Sequence, residues 1–142
     1  MANDERGLQP LPGPLEQLVR DLAQRGYTQT TDESGESGIW RRVELRAPGH
    51  ATDRAVRIEQ DRGLWDVAIR LADAWFSTYD VLLAVDGAPH SSRTESYDER
   101  RATTLAVVDR LPGDAKQLAL IQQRLADYRD QAMARYTRSN QQ

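Results

Sequence analysis

Residues 39 to 71 read IWRRVELRAPGHATDRAVRIEQDRGLWDVAIRL, and this stretch decides the fold. Ile39, Val43 and Leu45 alternate with Trp40, Arg42, Glu44 and Arg46, the period of two that a half-buried strand requires, with Arg41 interrupting the inward series. Pro48-Gly49 ends this strand. From Arg54 to Gln60, Val56 and Ile58 point one way and Arg57 and Glu59 the other, and Asp61-Arg62-Gly63 supplies a hairpin turn. A third strand places Trp65, Val67, Ile69 and Leu71 inward and Asp66, Ala68 and Arg70 outward. Three successive strands with short turns predict an antiparallel meander with one face sealed and one face wet.

Downstream, the segment from Asp73 to Gly87 fits either period, and the end signals favour a helix. Ser77 stands three residues before Asp80, Phe76 and Val81 occupy the positions of a hydrophobic staple, and Gly87 with Pro89 forms a stop. Residues 87 to 95 read as a Ser-rich loop. Ser96 and Glu99 have the capping-box spacing for a helix running to about Leu111, although Thr103, Thr104, Val107 and Val108 keep a strand open as the alternative. After Pro112-Gly113, Leu118, Ile121, Leu125, Tyr128 and Ala132 step by three and four, one apolar seam along a helix of about six turns.

Upstream, residues 28 to 38 are polar and glycine-rich and read as a loop. Leu15, Leu18, Val19 and Leu22 mark an amphipathic helix opened by Pro14 and closed by Gly26. The predicted fold is therefore α+β, a two-layer sandwich of an N-terminal helix, a three-stranded antiparallel meander and two or three C-terminal helices. One domain spans residues 14–136, with a loose lead-in over 1–13 and a frayed tail over 137–142.

Composition narrows the function classes. The chain of 142 residues has a net charge of −3 and no cysteine, which excludes disulfide scaffolds, zinc ribbons and thiol catalysis. Its two histidines, His50 and His90, are too few for a nitrogen-rich metal site, and no metal or cofactor is expected. No apolar run approaches a membrane span and no secretory signal opens the chain, so a cytoplasmic protein is expected. Lys116 is the only lysine among eighteen arginines, a usage we read as that of a GC-rich bacterial genome. No region carries a basic stripe, and this argues against nucleic acid as a partner.

Two constellations bear on chemistry. His50 with Asp53, and His90 beside Ser91 and Ser92, supply the residue types of a Ser–His–Asp arrangement and hence of a small hydrolase or transferase. Neither lies in a nucleophile-elbow sequence, and histidines in turn-rich loops are ordinarily just solvated. The outward sheet face collects Trp40, Arg42, Arg46, Arg57 and Arg70, with Glu44, Glu59 and Asp66 among them. Such alternation is how an antiparallel sheet meets water; it is also how a sheet offers an aromatic anchor and guanidinium forks to a protein partner.

The absence of catalytic motifs favours a non-enzymatic protein-binding or accessory protein. A nucleic-acid-associated regulator of a mobile element is the third reading. In element order alone, the predicted fold is similar to secretion-chaperone-like accessory domains and to some bacterial toxin-immunity proteins, an analogy that implies a protein partner. The long final helix is expected to cover the sheet in a monomer, or to pair a homodimer through its distal half at Met133 and Tyr136.

Overall fold

The computed structural model describes residues 10–35, 40–49, 54–61, 63–86 and 96–140. The fold is α+β. In chain order it comprises α1 (Gly13–Gln24), β1 (Thr28–Ser34), β2 (Trp40–Arg46), β3 (Ala55–Asp61), β4 (Leu64–Leu71), β5 (Ala74–Ser77), α2 (Thr78–Asp86), α3 (Tyr97–Arg110) and α4 (Ala115–Asn140). The strands form one antiparallel sheet in the order β1-β2-β3-β4-β5. The predicted three-stranded meander is its centre, and one further strand flanks it on each side.

The first addition corrects the loop expected over residues 28 to 38. β1 has the sequence TQTTDES and is exposed along nearly its whole length, so it carries none of the apolar alternation by which a strand is recognised. Its backbone pairs with β2 from Thr28↔Arg46 to Ser34↔Arg41, with an irregularity between Gln29 and Thr31. A polar, bulged outer strand of this kind resists edge-to-edge association.

The second addition lies just ahead of the expected Ser77 helix cap, where the sequence predicts no further strand. Ala74 to Ser77 form β5, and the helix begins at Thr78. The β4–β5 turn passes through Ala72 and Asp73, with Ala72 at φ +59°, a left-handed conformation in which alanine is uncommon. With no glycine or asparagine at that position, the sequence carries no hairpin signal there. The turn is braced by Arg70, whose Nε donates to the Ala72 carbonyl at 2.7 Å.

Local signals elsewhere operate as read. Gly26 adopts φ +87° beyond α1, and the Tyr27 N–H closes back on the Leu22 carbonyl. Gly63 adopts φ +83° in the β3–β4 turn. Ser77 Oγ accepts from the Asp80 N–H at 3.2 Å, and Ser96 Oγ accepts from the Glu99 N–H at 3.1 Å. Residues 97 to 110 are helical despite their β-branched content. Thr104 Oγ1 is satisfied within the helix by the Arg100 carbonyl, and Val107 is fully buried.

The four helices of the described residues belong to one layer, in which α1 packs on α3, α3 on α2 and α2 on α4. Leu15, Leu18 and Leu22 of α1, Val81 of α2 and Leu125 of α4 meet the inward side chains Val43, Leu45, Val56, Ile58, Val67 and Ile69 in one core. The α4 seam buries Leu118, Ile121 and Leu125, half-buries Tyr128 and then leaves the body, since Ala132 and Met133 are exposed. The helix runs on to Asn140, beyond the Thr137 at which the sequence suggests fraying. No described helix is long and apolar enough to cross a membrane.

Candidate functional site

The candidate site is the sheet face opposite the helices. Strand register orders its side chains into cross-strand rows. One row runs Thr28, Arg46, Ala55, Arg70 and Trp75, and the next runs Thr31, Glu44, Arg57, Ala68 and Ser77. A third contains Glu33, Arg42, Glu59 and Asp66, and Trp40 lies beyond it at the start of β2. All five predicted binding residues, Trp40, Arg42, Arg46, Arg57 and Arg70, therefore share this face, but they fall into two unlike groups.

At the Trp40 end, charge is internally neutralised. Arg42 Nε donates to Glu59 Oε2 at 2.6 Å, and its guanidinium lies 5.8 Å from the centroid of the Trp40 ring. The Glu59 carboxylate raises the Arg42 pKa above its ordinary value. Trp40 is half-buried, with its indole resting on the backbone of Gly35; a Cβ there would sit 2.5 Å from Trp40 Nε1. Trp40, Arg42, Glu59 and Gln60 line a shallow depression.

At the opposite end Arg57 and Arg70 have no ion-paired carboxylate among the described residues. The Arg57 guanidinium reaches over Ala68 and stacks on Trp75, 4.4 Å from the ring centroid. Its Nε is covered and unpartnered, so only the terminal nitrogens are left to engage another molecule. Among the described residues, no carboxylate ion-pairs with Arg57 or Arg70, although Glu44 stands directly across from Arg57. Beside them, Thr30, Glu44, Arg46, Arg54, Ala55 and Arg70 line a depression of about 320 Å³. The Arg54 guanidinium is held by hydrogen bonds to the carbonyls of Leu111 and Pro112 at the end of α3. Burial pushes the Arg54 pKa below its ordinary value.

Trp75, absent from the predicted binding residues, also lies on this face. It reaches the outer face because β5 is a strand, which places Phe76 inward and Trp75 outward. The only available signal was the alternation of Trp75 and Phe76 themselves. Arg129 of α4 secures this edge from the other side, donating to the Trp75 carbonyl at 2.8 Å and lying 4.2 Å over the Phe76 ring.

The free edge of β4 is also closed. β5 pairs with β4 only as far as Ala68↔Ser77, leaving residues 64 to 67 without a strand neighbour on that side among the described residues. Arg100 of α3 fills the gap, with Nη1 donating to the Trp65 carbonyl at 2.7 Å and to Asp66 Oδ1 at 3.0 Å, and Nε to the Tyr79 hydroxyl at 3.0 Å. Asp66 Oδ1 in turn accepts from the Val67 N–H.

The alternative catalytic residues His50, Asp53, His90 and Ser91 lie outside the described residues, as does Ser92. Among the described residues, no group of three or more potential ligands fits a metal ion. The Asp21 carboxylate, buried between α1 and α3, has a structural explanation. Arg101 Nε donates to it at 2.6 Å and holds its pKa below the usual carboxylate value.

No family model matches this chain, and neither a curated protein nor a solved structure shows significant similarity to it.

Proposed function

We propose that the protein is a non-enzymatic accessory protein that holds a protein partner on its open sheet face. The observation that carries this reading is one-sided construction. Every described helix packs in one layer, while Trp40, Arg42, Arg46, Arg57 and Arg70 share the opposite face with no described element over them. A sheet that only met water would be served by short, flexible polar side chains. This one instead holds two indoles with guanidinium groups fixed over them, and rigid aromatic and arginine groups give contact area at a small ordering cost on binding.

The test is affinity for a partner recovered from the source cells by the tagged protein. The double variant Trp40→Ala/Arg57→Ala is expected to weaken that affinity by about tenfold or more, the scale of hot-spot residues. Met133→Ala, on the exposed part of α4, leaves it unchanged. Equal affinity for wild type and the double variant overturns the reading.

A further inference from the structure

The two ends of the open face differ in the ligand chemistry they suit. At the Trp40 end, Arg42 is paired with Glu59, Glu33 stands opposite it on β1, and Asp66 is held by Arg100. An incoming anion there meets arginine charge that is already neutralised. At the Trp75 end, Arg57 and Arg70 project from neighbouring strands with no ion-paired carboxylate among the described residues, and Glu44 is the one acidic side chain among the described residues that line the adjoining depression.

We infer that this end, built by Arg57, Arg70 and Trp75, is the seat for an extended, acidic segment of the partner protein. The inference rests on the open face being the partner-binding surface and names the chemistry of the partner. Two observations carry it. Charge complementarity is local, since among the described residues Arg57 and Arg70 carry no ion pair at this end, while Arg42 is paired with Glu59 at the other. Geometry is also set in advance. The Arg57 guanidinium is immobilised on Trp75, and the Arg70 Nε is committed to the Ala72 carbonyl, so each presents its terminal nitrogens in a fixed fork.

Spacing favours a chain over a single small anion. Arg57 and Arg70 stand on adjacent strands, two residues apart in register, about 8 Å at the backbone. Carboxylates on alternate residues of an extended chain repeat at about 7 Å, so consecutive acidic side chains reach successive guanidinium groups. The small side chains of Ala55 and Ala68 leave the floor low between the arginines. Inorganic phosphate engages only one such fork at a time.

The test titrates the full chain with an N-acetylated, C-amidated hexaglutamate peptide. Hexaglutamine, inorganic phosphate and oligo-deoxythymidine serve as comparison probes, and the readouts are calorimetry and the NMR signals of the Trp75 Nε1–H and the arginine Nε–H groups. Hexaglutamate is expected to shift the Trp75, Arg57 and Arg70 signals, to leave Trp40 unmoved, and to bind more weakly as salt rises. Arg57→Gln and Arg70→Gln each weaken it by about threefold to tenfold, whereas Arg42→Gln does not. The charge-reversed Arg57→Glu/Arg70→Glu protein, checked for an unchanged melting transition, transfers the preference to hexalysine.

Binding of hexaglutamine equal to that of hexaglutamate overturns the inference, as does a response centred on Trp40. Tighter binding of phosphate or of the oligonucleotide also overturns it, in favour of that anion. If the recovered partner loses affinity through Trp40 and not through Arg57 or Arg70, the acidic-segment inference fails while the open face stands as the partner surface.

Discussion

Arg57 on β3 stacks over Trp75 on β5 at 4.4 Å, bridging the intervening strand where Ala68 leaves room. The contact ties a central strand to the short edge strand across the open side, where no described helix reinforces the sheet. It also holds a guanidinium over an indole ring. Removing the stack through Arg57→Ala should lower stability by about 0.5–1 kcal/mol, the scale of a partly exposed cation–π contact. Trp75→Phe should cost less than Trp75→Ala, because a ring face is retained. Urea unfolding of the three variants checks this order.

Arg100 closes the part of β4 that β5 leaves open, since it donates to the Trp65 carbonyl and to Asp66. Arg100→Ala should expose an unpaired strand edge next to Leu64, which is 74% exposed, and promote self-association. Sedimentation velocity over a concentration series is expected to show oligomers in the variant at concentrations where the wild type shows fewer. An unchanged distribution would mean that Arg100 has no protective role at this edge.

Stability should fall in acid, partly through Asp21. Its carboxyl pKa is lowered, chiefly by the hydrogen bond from Arg101, so its stabilising contribution is complete above the unfolded value of 3.8. That contribution disappears as pH falls through the lower folded value. The stability gap between wild type and Asp21→Asn is thus expected to be widest at neutral pH and to close below about pH 4. Asp109, lowered in the same way by Arg25, adds a second contribution of the same sign. Denaturant melts at pH 7, 4 and 2.5 measure the gap.

The apolar seam of α4 ends where the helix leaves the body. Leu125 is 1% exposed and Met133 is 64% exposed. Leu125→Ala should cost about 2–5 kcal/mol, the range for an aliphatic side chain removed from a packed core. Met133→Ala should stay within about 0.5 kcal/mol of wild type. Thermal melts of the two variants decide whether the seam stops at Tyr128.

Gly35 seats the Trp40 ring. A Cβ at that position would lie 2.5 Å from Trp40 Nε1, so Gly35→Ala must displace the indole or the β1–β2 hairpin. The displaced indole should become more solvated, and its fluorescence is expected to shift to the red. A Trp65→Phe/Trp75→Phe background isolates that signal. An unshifted spectrum would place Trp40 elsewhere.

What this sequence determined by itself was local: the inward series Val56–Ile58 and Val67–Ile69, the turn at Gly63, the C-terminal cap at Gly26, the Ser77 and Ser96 caps and the seam from Leu118 to Tyr128. Each is set by steric limits or hydrogen bonds spanning a few residues, so periodicity and residue type suffice to find it. It also placed five residues correctly on one face, because strand alternation fixes the side to which each points. Only the tertiary structure decided that polar Thr28–Ser34 is a strand, since its hydrogen bonds come from β2 and not from anything within it. Likewise, tertiary packing chose Glu59 for Arg42, left Arg57 to Trp75 and turned Trp75 to the open side. Those outcomes depend on which distant strands lie side by side, and a local pattern along the chain carries no record of that.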